Sequence, residues 1–209
     1  MMKYLEIGEI FYSIQGESTY AGLPCCFIRL AQCNLNCSYC DSRFSHQPGK
    51  MMGLDEIMNA ITTYPVKLVE ITGGEPVLQD DVVDLMELLH EAGYEILLET
   101  NGSLYLGDIP DYVVKIVDVK TPGSGHGDSF MKWNLRFLQP HDQIKFVLTA
   151  HHDYRFALDF IRQHELEGRI LLFSPVTFLL PPSRLAQWML ADGVPARLHL
   201  QLHQLLNLK

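Results

Sequence analysis

The sequence predicts an α/β fold, an incomplete parallel (β/α) barrel with fewer helices than strands. Three observations lead there. Segments of strand character alternate with segments of helical periodicity. Most of the strands are short continuous apolar runs, the mark of a parallel sheet covered on both faces. At 209 residues, the chain also falls short of the roughly 250 that a complete eight-fold barrel takes. A doubly wound open sheet shares the first two features and is the competing architecture.

Cys25 to Leu30 is apolar and partly β-branched, and is entered from Gly22-Leu23-Pro24, so it reads as a strand. Leu54, Ile57, Met58 and Ile61 recur at helical spacing and predict a helix over about 54–64. Val66 to Thr72 is a short apolar strand running into Gly73-Gly74-Glu75-Pro76. A second helix covers 80–92, its stripe made by Val82, Leu85, Met86 and Leu89, with Gly93 placed to stop it. Strands follow at 95–99, 113–117 and 144–148, then a helix at 151–164. A strand at 170–173, a helix at 184–190 and a last strand at 197–200 complete the pattern. No repeat, low-complexity tract or linker interrupts it, so a single domain over 1–209 is expected.

Polar groups gather just past the strand ends: Thr72 to Glu75, Glu99 to Asn101, Asp118 to Lys120, Ser174 to Thr177, and His203. In β/α folds that edge carries the active site. The formal net charge of −9 and the absence of a basic run argue against a nucleic-acid partner. The most apolar stretch, 170–180, contains Ser174 and Pro175 and stops at Pro181-Pro182, well short of the roughly 20 residues of a membrane span. The N-terminus lacks a secretory core. A cytoplasmic protein with no membrane or nucleic-acid partner is expected.

The five cysteines all lie between positions 25 and 40. A disulfide framework would spread them to close long loops, so crowding and an odd count favour metal binding. Cys25 and Cys26 fall within a strand and read as small core residues. Cys33, Cys37 and Cys40 form C-x3-C-x2-C on one loop. Structural zinc wants four ligands, the fourth here being His46 or a distant residue. An iron–sulfur cubane also usually takes four thiolates. Only three would leave one iron open for chemistry.

C-x3-C-x2-C with an aromatic residue, Tyr39, before the last cysteine resembles the signature of radical S-adenosylmethionine enzymes. Gly73-Gly74-Glu75-Pro76 resembles that family's second motif, whose backbone binds the methionyl amino group. Within the superfamily, Glu9 to Glu17, Phe27 to Leu30, Cys40-Asp41-Ser42, Thr72 to Pro76, Glu99 to Gly102 and Gln201 to Lys209 closely resemble the 7-carboxy-7-deazaguanine synthases. The resemblance runs end to end and is weakest at about 105–170.

The resemblance implies the incomplete barrel of the radical S-adenosylmethionine type. It implies a lyase: a 5′-deoxyadenosyl radical takes hydrogen from C6 of 6-carboxy-5,6,7,8-tetrahydropterin, the ring contracts, ammonia is lost and 7-carboxy-7-deazaguanine forms, on the route to queuosine. The implied cofactors are a 4Fe–4S cluster on Cys33, Cys37 and Cys40, S-adenosylmethionine, and Mg²⁺ at Ser42. Ile14, Gln15, Gly16 and Glu17 would line the pterin pocket, the side-chain amide and carboxylate pairing with a guanine-like edge. Arg29 would face the substrate carboxylate, Thr72 would touch substrate, and His203 and the terminal carboxylate of Lys209 would close the pocket. Tyr39, Cys40, Asp41, Gly74, Glu75, Asp118, Val119, Lys120, Ser174, Pro175, Val176 and Thr177 would hold S-adenosylmethionine. A flavodoxin- or ferredoxin-like electron donor and a homodimer are implied too.

Several positions depart from the family pattern. Ser18 stands where glycine is usual, Ser42 replaces a common threonine, Asp118 and Val119 replace Ser-Pro, Ser174 and Thr177 replace Gln and Asp, and the last residue is lysine instead of proline. The rival readings are a glycyl-radical-type activating enzyme, which would need neither the Gln-Gly-Glu loop nor a C-terminus folded into the site, and a zinc-binding module.

Overall fold

The computed structural model describes residues 3–208. Nine strands form one sheet: β1 (Tyr4–Ile14), β2 (Pro24–Leu30), β3 (Lys50–Gly53), β4 (Leu68–Gly73), β5 (Glu95–Thr100), β6 (Val114–Asp118), β7 (Gln143–Leu148), β8 (Ile170–Pro175) and β9 (Arg197–Leu198). The helices are α1 (Leu54–Ile61), α2 (Val82–Glu91), α3 (His151–Gln163), α4 (Pro182–Asp192) and the short α5 (Leu202–Leu206).

Strand order across the sheet is β3-β1-β2-β4-β5-β6-β7-β8-β9. From β2 to β9 every neighbouring pair is parallel. In that run each strand lies beside its sequence neighbour and the order never reverses. A doubly wound sheet requires a reversal, because its helices must alternate between the two faces. A one-way order with right-handed crossovers puts the helices on one side and curls the sheet toward the other, as in a barrel left open. The crossovers from β5 to β6 and from β6 to β7 carry no α-helix, which is why helices are fewer than strands.

The larger apolar cluster lies between sheet and helices, where Ile57 and Ile61 of α1, Leu85 and Met86 of α2, and Tyr154 and Ala157 of α3 meet the outward residues of the strands. Full burial of each large aliphatic side chain contributes roughly 1.5–3 kcal/mol. A smaller cluster of Phe11, Cys25, Phe27, Leu68, Leu97, Val114 and Ile116 fills the base of the concave face. Above it the inward positions turn polar: Arg29 on β2, Glu70 and Thr72 on β4, Glu99 on β5, Asp118 on β6 and Lys145 on β7. The strands are therefore buried on both faces, and the outer face is apolar apart from the Lys115–Asp142 ion pair at β6.

Three elements escape the sequence pattern. β1 carries a bulge: Ile7 pairs with Leu30 and Glu9 with Arg29, leaving Gly8 extra. Leu5 and Ile7 face the helices while Phe11, of the same parity, faces the concave side. One inserted residue exchanges the two faces and erases the alternation that would have announced the strand. β3 is a four-residue edge strand antiparallel to β1, and α5 is too short to show a period. The expected strand at 197–200 shortens to two residues.

Candidate active site

β2 delivers the chain to the cluster loop, and the loop is clamped from all sides. The Gln32 N–H donates to Ser45 O at 2.6 Å, and the Gln32 carbonyl accepts from the Glu75 N–H at 2.8 Å. Asn101 Nδ2 donates to Asn34 Oδ1 at 3.0 Å. Ser38 donates its N–H to Ser124 O at 3.0 Å and its hydroxyl to Gly123 O at 2.7 Å. The Cys40 N–H closes a turn on Cys37 O at 3.2 Å. Cys33, Cys37 and Cys40 are free thiols lining one cavity of about 220 Å³.

Burial pushes the Cys33 and Cys37 thiols above their ordinary values, so the protein alone keeps them neutral and a cationic centre is needed to ionise them. Among the described residues the buried Tyr39 hydroxyl has no hydrogen-bond partner. Among the described residues no three His, Cys, Asp or Glu side chains converge on one point as a single ion requires. A cubane asks for something different, one thiolate at each of three separate irons. Three free thiols around a cavity fit that group.

The Gly73-Gly74 turn ends β4 against this loop. Gly73 has φ of +147°, and a Cβ there would overlap the Leu30 backbone, while one on Gly74 would overlap the Gln32 carbonyl. Only glycine permits this approach. The N–H groups of Gly74 and Glu75 are taken by Leu30 O at 3.2 Å and Gln32 O at 2.8 Å. What the turn offers the cavity is therefore carbonyl oxygens, acceptors suited to an ammonium group. Glu75, expected to touch S-adenosylmethionine, instead turns away and is fully buried. Its carboxylate accepts from Thr100 Oγ1 at 2.7 Å, Asn101 N at 2.7 Å and Val77 N at 3.1 Å. It ties the end of β4 to the end of β5.

The opposite wall is built around Lys145. Its ammonium pairs with Glu17 at 2.8 Å and Asp118 at 3.8 Å, and also with Glu99. Burial opposes its charge, but Glu17, Glu99 and Asp118 outweigh that and hold its pKa well above the usual lysine value. For Glu17 burial likewise opposes ionisation, yet Lys145, His199 and the Gln201 hydrogen bond at 2.7 Å hold its carboxyl far below the ordinary range. Glu99 also accepts from Thr72 Oγ1 at 3.1 Å. Lys120 donates to Asp118 at 2.7 Å. Arg29 pairs with Glu9 at 3.1 Å, lies 3.4 Å from Ser42 Oγ, and sits between the Phe11 and Phe44 rings. Ser42 in turn donates to Asp41 at 2.9 Å.

The cavity thus brings together Ile14, Gln15, Gly16, Glu17, Arg29, Thr72 and His203 with Tyr39, Cys40, Asp41, Ser42, Gly74, Asp118, Lys120, Val176 and Thr177. Val119 does not join them: it points outward into the helix-side core. Ser174 and Pro175 are buried at the end of β8 and do not line the cavity. Lys209 lies outside the described residues. Gln15 lines the cavity with each end of its amide anchored once: Nε2 donates to Glu70 at 2.5 Å and Oε1 accepts from the Glu17 N–H at 3.0 Å. These bonds hold the side chain in place and leave one amide hydrogen and one oxygen lone pair uncommitted. Ser18, in place of the usual glycine, sits at φ +63°, a left-handed conformation costing a non-glycine residue roughly 1 kcal/mol; its hydroxyl accepts from Tyr20 N at 3.1 Å.

Glu70 and Lys145 also line the cavity, though the sequence pattern did not single them out; Glu99 and Gln201 line it too, noticed in the sequence only as parts of longer segments with no role assigned. The available signal was a charged residue inside an apolar strand: Glu70, two positions before the already suspected Thr72, and Lys145 in the run 143–148.

The Radical SAM superfamily model matches residues 28–121. A protein of Koribacter versatilis named 7-carboxy-7-deazaguanine synthase is 46% identical, over 96% of this chain and 96% of its own length. Proteins of the same name from Chlorobaculum tepidum and Thermoplasma acidophilum are 41% and 34% identical, each over 96% of this chain and over 93% and 96% of their own lengths. The chain belongs to the 7-carboxy-7-deazaguanine synthase family. Its fold agrees with the crystal structure of QueE from Escherichia coli, with a TM-score of 0.77 at 22% identity, covering 95% of this chain and 94% of that one. A 7-carboxy-7-deazaguanine synthase of the radical S-adenosylmethionine class is a lyase that uses S-adenosylmethionine and a 4Fe–4S cluster, and the thiol loop and glycine turn are the parts of this chain suited to them.

Proposed function

We propose that this chain converts 6-carboxy-5,6,7,8-tetrahydropterin to 7-carboxy-7-deazaguanine with loss of ammonia, by radical ring contraction in 7-deazapurine biosynthesis. One observation carries the residue assignments. A single cavity is lined by three thiols and a glycine turn together with an arginine, a hydroxyl-carboxylate pair and an ionised glutamate. Bound at Cys33, Cys37 and Cys40, the cluster would supply the electron that cleaves S-adenosylmethionine and starts the reaction.

The remaining work falls to the protein. The carbonyls of the Gly73-Gly74 turn would accept from the methionyl ammonium, with Tyr39, Lys120, Val176 and Thr177 enclosing the rest of that cofactor. Arg29 would take the pterin carboxylate, for which its planar fork is suited. Asp41 and Ser42 offer hard oxygens beside it, a fit for Mg²⁺. Glu17, held ionised by Lys145, would accept from the donors of the pterin edge, and Thr72 and His203 would close on the ring. Gln201 and His203 in the cavity wall support a small-molecule substrate over a protein one, since they leave less room for a polypeptide loop. We also propose a homodimer, a flavodoxin- or ferredoxin-like electron donor and a cytoplasmic location. Among the described residues no helix is long and apolar enough to cross a membrane.

The test is turnover. Anaerobically reconstituted, reduced protein should release one deazapurine and one ammonia per carboxytetrahydropterin consumed. Cleavage of S-adenosylmethionine with no deazapurine product defeats the reading. Omitting Mg²⁺ should lower turnover, and no effect of added Mg²⁺ after chelation removes the metal assignment.

A further inference from the structure

Glu70 is the member of the cavity for which the assigned roles leave no task. It points inward from β4, lines the cavity and is only 5% exposed. One hydrogen bond reaches it, from Gln15 Nε2 to its Oε2 at 2.5 Å.

Its surroundings are short of positive charge. Across the sheet Glu70 pairs with Phe27 of β2 and Leu97 of β5. The titratable groups facing it are Cys25 on β2, Glu99 on β5, Lys145 on β7 and Glu17 in the loop after β1. Lys145 is already shared among Glu17, Glu99 and Asp118. A fourth ionised carboxylate would stand desolvated with no cation of its own, which is strongly unfavourable. Burial, followed by Glu99 and Glu17, accordingly raises the Glu70 carboxyl to about 8. A carboxyl kept neutral in this way becomes a hydrogen-bond donor.

We propose that Glu70 determines specificity: as a neutral carboxylic acid it donates a hydrogen bond from the cavity floor to an acceptor atom, an oxo group or unprotonated nitrogen, of the bound heterocycle. The inference rests on the pterin reading above and adds a second kind of contact to it. Glu17, ionised, can only accept and so meets donors. Glu70, protonated, meets an acceptor. Two carboxyl groups held in opposite protonation states would together read a donor–acceptor edge.

The test uses reconstituted holoenzyme kept free of oxygen and the probe 6-carboxypterin, which lacks the hydrogen at C6 and cannot react. Glu70→Gln keeps a donor and the shape; Glu70→Leu removes the donor. By calorimetry near neutral pH, E70Q should bind within about threefold of wild type and E70L roughly 30-fold more weakly, the usual effect of leaving one buried partner unsatisfied. The ratio of wild-type to E70Q affinity, from which the ligand's own titration cancels, should fall about tenfold for each pH unit above the Glu70 pKa, until binding through the ionised carboxylate takes over. The infrared spectrum of the wild-type complex should show a protonated-carboxyl stretch that E70Q lacks.

Equal affinity of E70L and wild type, E70Q as weak as E70L, or a ratio flat with pH each overturns the proposal. So does absence of the carboxyl band from a wild-type complex. If wild type converts the tetrahydropterin and E70L binds the probe normally, only this inference fails. If wild type neither converts the one nor binds the other, the functional reading fails with it.

Discussion

Individual side chains in this cavity are defined by what surrounds them more than by their chemical type. Glu17 and Glu70 are both largely buried glutamates, one held ionised and one held neutral, because the first reaches Lys145 and the second does not. The difference has a sign in stability. Glu70 binds a proton in the folded state between its ordinary value near 4.5 and about 8, so folding loses about 1.4 kcal/mol per pH unit across that window. Glu70→Gln should remove that slope, and urea unfolding at several pH values checks it. An unchanged slope means that the carboxyl is not protonated in the folded chain. The cysteines divide in the same way. Cys37→Ala should abolish the cluster and cleavage of S-adenosylmethionine, read as iron and sulfide content. Cys25 packs against the apolar base of the concave face; Cys25→Ala should cost only about 1 kcal/mol and leave iron content unchanged.

At the level of elements, close contacts set the geometry. Gly16 lets the C-terminal segment approach: the Leu202 N–H donates to Gly16 O at 2.9 Å, and a Cβ on Gly16 would run into the His203 ring and backbone. Gly16→Ala should push His203 out, at a strain of about 1–3 kcal/mol, and raise the KM for the pterin roughly tenfold while iron content holds. Normal kinetics in G16A would remove His203 from the site. On the outer side of β6, Lys115 pairs with Asp142 at 3.3 Å with both side chains fully buried. Asp142 also accepts from the Lys115 N–H at 2.7 Å and the Gln139 N–H at 2.8 Å. Lys115→Met leaves that carboxylate uncompensated and should lower stability by about 3 kcal/mol, or roughly 6–12 °C in Tm. The strand signals were legible where one face was apolar throughout, as on β4 and β5. They failed on β1, where the bulge at Gly8 exchanges the faces.

Across the whole molecule, the one-way strand order gathers the polar ends of the parallel strands along one edge, and the C-terminal segment closes that edge. Gln201 reaches Glu17 at 2.7 Å, joining residues from opposite ends of the chain. Removing 199–209 should leave the cluster in place but lower deazapurine formation by at least about 100-fold, measured as product per S-adenosylmethionine cleaved. Retained turnover would show that the segment is only a cover.

The sequence by itself determined the order of the parallel strands and of the four longer helices, the thiol triad, the glycine turn and the edge on which they meet. These rest on local periodicity and on short motifs whose spacing fixes their geometry. Tertiary structure alone decided that Glu75 is a buried tie, that Val119 faces the helices, that the Gln15 amide is anchored by Glu70 and the Glu17 N–H, and that Lys145 and Glu70 belong to the cavity. Those outcomes depend on which charges face one another across a curved sheet. A side chain's parity along one strand is set by its own sequence, but its partners come from strands many residues away.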